Sequence, residues 1–145
     1  MLSRVVSAAV LGVDSYRVDV EVDVARALPS FTVVGLPDNA VKESKDRVRA
    51  AIKNSGYPFP PHRLTVNLAP ADVKKEGASF DLPMALAILA SDATLGLRGL
   101  DDLLVLGELS LDGSVRAVRG ALPIAAEARR LGVSSILVPR ENVAE

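Results

Sequence analysis

The residues best suited to chemistry sit in one loop, Val73-Lys74-Lys75-Glu76-Gly77-Ala78-Ser79-Phe80-Asp81, where a strand gives way to an apolar helix. A hydroxyl at a helix start with lysines nearby can act as a nucleophile of lowered pKa, and the free N–H groups there can hold an anion. The plainer use of Ser79 or Asp81 is to cap the helix.

A second group is electrostatic. Lys42, Lys45, Arg49 and Lys53 recur at spacings of three, four and four, which puts them on one stripe of a helix. Residues 38 to 63 hold six Lys or Arg against three Asp or Glu. The pairs Lys45–Arg49 and Arg49–Lys53 are like charges one turn apart, a mild cost to the helix that a phosphate-bearing partner would relieve. The structural alternative is a solvated face neutralised by Glu43 and Asp46. Lys74 and Lys75 join the stripe as candidate nucleic-acid contacts.

Other chemistries are excluded by what is missing. No glycine is followed by Lys and then Ser or Thr, so there is no phosphate-cradling loop of the P-loop type. With no cysteine, disulfides, thiolate metal sites and cysteine nucleophiles fall together, and a cytoplasmic location fits. The lone histidine, His62, follows a run of prolines and reads as a solvent-exposed loop residue, not a metal site. With 17 basic and 18 acidic residues, overall charge steers toward neither nucleic acid nor membrane. No apolar run reaches the roughly 18 residues of a membrane span. No cofactor or metal is expected in this part of the protein.

The elements that must position these groups follow from periodicity. Tyr16, Val18, Val20, Val22 and Val24 alternate with Arg17, Asp19, Glu21 and Asp23, a strand with one face buried. Residues 5–11 form its hairpin partner across Gly12-Val13-Asp14-Ser15, and residues 30–35 form a third strand. After Pro37, in the first helical turn, a helix to Asn54 buries Val41, Val48, Ala51 and Ile52, with Gly56 closing it. Residues 63–68 are a fourth strand. Residues 82–90, apolar all round, make a buried central helix. Residues 103–106 form an interior strand that turns at Asp112-Gly113 into residues 115–118. A helix from Leu122 to just before Gly132 leads to a last strand at 135–138. The order implies an α/β (α+β) fold, a mixed sheet backed by helices, in one unit over residues 1–145.

Four blocks carry a family resemblance: Ser30-Phe31-Thr32-Val33-Val34-Gly35-Leu36-Pro37; Val41-Lys42-Glu43-Ser44 with Arg47-Val48-Arg49; Val66-Asn67-Leu68-Ala69-Pro70-Ala71-Asp72; and Lys75-Glu76-Gly77-Ala78-Ser79-Phe80-Asp81-Leu82-Pro83. Together they resemble the N-terminal domain of the ComM/YifB family, the magnesium-chelatase-like AAA+ ATPases of bacteria. The resemblance implies a fold like the second domain of ribosomal protein S5, shared with the Lon protease domain and the C-terminal domain of RadA. It further implies an ATPase domain beyond residue 145 that uses ATP and Mg2+, a homohexameric whole, and partners that include DNA, the protein's own ATPase domain and neighbouring subunits. ComM-type proteins act as branch-migration helicases in natural transformation. The expectation for this chain is a non-catalytic accessory domain that contacts DNA, helps assemble the ring, or both. The alternatives are a purely structural oligomerisation module and an altered Lon-like serine hydrolase. By similarity to Lon, Ser79 takes the nucleophile position and Leu122 the position of the lysine base, and a leucine cannot deprotonate a serine.

Overall fold

The computed structural model describes residues 2–144. The chain opens with a long hairpin, β1 (Leu2–Leu11) and β2 (Asp14–Ala25), paired antiparallel from Leu2–Asp23 to Leu11–Asp14. β3 (Ser30–Val34) is followed by α1 (Asn39–Asn54) and β4 (Arg63–Ala69), which runs parallel to β3 and antiparallel to β2. Next come α2 (Asp81–Ala90), β5 (Leu103–Val105), a short hairpin of β6 (Glu108–Leu109) and β7 (Val115–Arg116), α3 (Ala121–Ala126) and β8 (Ser135–Leu137). The six-stranded sheet has the order β3-β4-β2-β1-β5-β8, and the β6–β7 hairpin stands apart. This is the mixed sheet backed by helices that the periodicity implies.

Alternation decides which face each strand gives to the core. Val18, Val20 and Val22 of β2 and Leu64, Val66 and Leu68 of β4 are fully buried beneath Val41 and Val48 of α1 and Met84 and Ile88 of α2. Apolar burial of this kind contributes about 2 kcal/mol per large side chain. β1 is buried on both faces. Val5 joins that core, while Val6 and Ala8 pack with Leu104, Leu106, Ile124, Leu131 and Val133 on the opposite side. The outer faces of β2 and β4 carry polar residues, where Asn67 donates to Glu21 at 2.8 Å.

Four expectations are corrected. Pro37 lies just before the helix, because Asp38 is the cap of α1 and its carboxylate accepts from the Val41 N–H at 2.8 Å. Asp81 is the first residue of α2 rather than its cap; neither it nor Ser79 caps the helix, since its carboxylate is used elsewhere. The turn at Asp112-Gly113 joins β7 to β6, not to the interior strand, because β5 is held in the main sheet between β1 and β8. Finally, α3 is only six residues long. Beyond it the chain continues in turns bound to β2, where Arg17 donates to the Leu131 carbonyl and Arg130 to that of Ser15. The closure of α1 at Gly56 is as read: φ is +86°, Gly56 N–H bonds Lys53 O at 3.1 Å and Tyr57 N–H bonds Ile52 O at 3.2 Å.

Candidate functional site

The loop between β4 and α2 is held from three sides. Its Lys75 pairs with the segment before α1, through Lys75 N–H to Leu36 O and Asp38 N–H to Lys75 O, both at 2.9 Å. Asp38 caps α1 with one carboxylate oxygen and accepts from Gly77 N–H at 3.3 Å with the other. Gly107 then clamps the start of α2, donating to Ser79 O and accepting from Leu82 N–H, each at 3.0 Å.

Beneath this clamp lies a charged network that sequence reading missed. The fully buried carboxylate of Asp81 accepts from Ser44 Oγ at 2.5 Å, from Arg47 Nε at 2.7 Å and from the Leu109 N–H at 3.0 Å. The hydrogen bond to Asp81 pushes the Arg47 guanidinium above its already high pKa, so this cation stays charged. The network ties α1, α2 and β6 together. Its trace in the sequence is Ser44, a polar residue on the stripe that holds Val41 and Val48.

The outcome of this bracing is a cleft of about 670 Å³ lined by residues 8–11 of β1, Tyr16, residues 76–79 and residues 117–120. Tyr16 donates its hydroxyl to Lys74 O at 2.7 Å, and burial, helped by Glu76, raises its pKa. Ser79 is half-buried in the cleft wall, and among the described residues no hydrogen bond involves its hydroxyl. Lys74 also lines the cleft but is exposed and pairs with Glu76 at 3.7 Å. Leu122 is 55% exposed and not part of the cleft lining. The position that similarity to Lon gives to the lysine base therefore lies outside the cleft that holds Ser79, whereas Lys74, Asp38, Glu76 and Glu108 line it.

Lys75 is corrected as a nucleic-acid contact: its side chain is fully buried and its ammonium donates to the Pro70 carbonyl, out of reach of a phosphate. Lys42, Arg49 and Lys53 are exposed on α1 and Lys45 is half-buried. Arg49 stacks over Phe31 at 5.9 Å and Phe59 at 5.4 Å. Glu43, expected to neutralise the stripe, instead lies 3.7 Å from Arg47. Among the described residues, none of the four stripe cations is within ion-pair distance of a carboxylate. His62 is half-buried and lines a small pocket with Phe59 and the prolines, not an exposed loop tip. Among the described residues, no three His, Asp or Glu converge as a metal site. No helix there is long and apolar enough to cross a membrane.

By fold and site, the chain is a mixed-sheet α/β domain with a braced cleft at the start of a buried helix and a cationic flank on a second helix. Residues 20–142 match the family described as subunit ChlI of Mg-chelatase, and the chain belongs to that family. It is 48% identical over 144 residues to the uncharacterised protein YifB of Salmonella typhimurium, covering 99% of this chain and 28% of that protein. It is 41% identical over 144 residues to competence protein ComM of Haemophilus influenzae, again covering 99% and 28%. A Lon protease of Chloroflexus aurantiacus is 30% identical over 131 residues, covering 86% of this chain and 16% of the protease. The chain thus spans little more than a quarter of the YifB and ComM proteins.

Proposed function

We propose that this chain is a non-catalytic accessory domain of an AAA+ ATPase that acts on DNA, and that the outer flank of α1 contacts the phosphates. The observation that carries the reading is the set of stripe cations, three exposed and Lys45 half-buried, that have no carboxylate partner among the described residues while Glu43 is drawn to Arg47. Unpaired cations on a rigid helix suit a polyanion, whose released counterions supply salt-dependent affinity without base specificity. The similarity to a protein named for competence supports DNA as that polyanion. Leu122, at the position that similarity to Lon gives to the lysine base, carries no base and lies outside the cleft, which supports a role without Lon-type hydrolysis.

The test is fluorescence anisotropy with labelled single- and double-stranded oligonucleotides at two salt concentrations. Replacing Lys42, Lys45 and Lys53 by Ala should flatten the salt dependence by about two to three phosphate contacts. Unchanged affinity and slope in that variant would remove the stripe from the account. Ring assembly is a second reading, favoured by exposed apolar residues at the hairpin tip, with Leu11 63% and Val13 95% accessible. It expects the full-length protein to lose hexamer formation when residues 1–145 are deleted.

A further inference from the structure

We infer that the free edge of β3, together with the cationic flank of α1, is a docking site for an acidic polypeptide segment in extended conformation. Such a segment covers the cations assigned above to DNA, so it regulates that contact; only this regulatory consequence rests on the DNA reading.

The first observation is the edge itself. β3 pairs with β4 on one side only, and among the described residues no backbone hydrogen bond reaches its other side. Its sequence Ser-Phe-Thr-Val-Val has no lysine, proline or bulge, the devices that usually blunt such edges. Leu28 and Leu36, near either end of the strand, are 88% and 52% exposed. Leu36 holds φ at +55°, uncommon for a residue other than glycine, and its carbonyl accepts from Lys75 N–H at 2.9 Å.

The second observation places the cations beside that edge. α1 buries Val41, Ser44, Val48, Ala51 and Ile52, and Arg47 leaves the helix toward Asp81 on α2. The stripe occupies the opposite flank. Arg49 over Phe31 shows that this flank faces β3. Lys42 to Lys53 spans about 16 Å of helix, and a five-residue strand about 17 Å. Side chains on one face of an added strand recur about every 7 Å, close to the spacing of cations three or four residues apart on a helix. Acidic residues at alternate positions of the added strand therefore meet the stripe while its backbone pairs with β3.

Charge selects this occupant over others. Pairing of β3 with β3 of a second copy brings two cationic flanks together, which like-charge repulsion opposes. A nucleic acid meets the cations but lacks the alternating donors and acceptors that a strand edge requires.

The experiment uses the 145-residue chain and a fluorescein-labelled peptide in which Glu alternates with Thr over about nine residues. Its control carries N-methyl groups at every second amide, which keeps the charge and removes backbone donors. The unmodified peptide should bind, protect the amides of Phe31 and Val33, which face the free edge because Ser30 N–H is turned to His62 O on the β4 side, from hydrogen exchange and displace a bound oligonucleotide. N-methylation and the Lys42→Ala/Lys45→Ala/Lys53→Ala variant should each weaken binding about ten-fold or more. Equal binding of the N-methylated peptide, protection on another strand, or a dimer paired through β3 overturns the proposal. If an oligonucleotide binds and the peptide does not, docking fails and the DNA reading stands. If the peptide binds and no oligonucleotide does, the DNA reading fails and docking stands.

Discussion

The Asp81 carboxylate ties its own helix α2 to two other elements, α1 through Ser44 and Arg47 and β6 through the Leu109 amide, all of which donate to it. Asp81 is fully buried and the Arg47 side chain is 20% exposed, so removing one charge leaves the other in a poorly solvated place. Asp81→Asn keeps the shape and loses the charge, and should cost about 3 kcal/mol in a urea titration. A loss below about 1 kcal/mol would mean that Arg47 finds water instead. Lys75 presents the opposite case, a cation buried against a carbonyl. Burial holds its pKa below the ordinary 10.5, with Asp72 partly offsetting the shift. The unfolded chain therefore binds this proton more tightly than the folded one. That penalty is fully present below the depressed folded pKa, and stability rises with pH from there up to 10.5. Lys75→Met should flatten this alkaline rise without loss of stability at neutral pH, as read from urea midpoints across the range. Neither role was legible beforehand: Asp81 reads as a helix cap and Lys75 as a surface cation. Burial is a property of what packs above a residue, and a loop sequence does not record it.

At the scale of elements, strong periodicity carried the reading. β2 alternates and buries Val18, Val20 and Val22, while Tyr16 and Val24 at the ends of its pattern stay half-buried, and α1 closes at Gly56 because a glycine there accepts the left-handed turn. Gly35 adds a constraint that pattern alone does not show. A Cβ built there lies 2.3 Å from the Leu68 carbonyl oxygen, on a backbone with φ of +105°. Gly35→Ala should cost about 3 kcal/mol or more, since β3 and β4 must separate or the chain must strain. Circular dichroism melting checks this, and a midpoint within a degree or two of the parent would show that the strands have room to move. The elements misjudged were short ones. β6, β7 and the stub of α3 hold two, two and six residues, too few for periodicity to speak, and partners distant in sequence decide them.

For the whole molecule, two features stand uncovered, the cationic flank of α1 and the cleft that Ser79 lines. Leu122→Lys should leave the chain without peptidase activity toward casein, because residue 122 faces solvent outside the cleft lining. Appearance of cleavage in that variant, lost again on Ser79→Ala, would restore the hydrolase alternative. The sequence by itself determined the local elements with strong period and the missing phosphate loop, because these depend on residue identity and near neighbours. The tertiary structure decided the rest. Strand order put β3 at an edge with Arg49 of α1 over its Phe31, packing buried Lys75, and the approach of α1 to α2 turned Asp81 and Arg47 into a brace. Each of those depends on residues many positions apart meeting in space, where burial and charge are set by the partner and not by the residue alone.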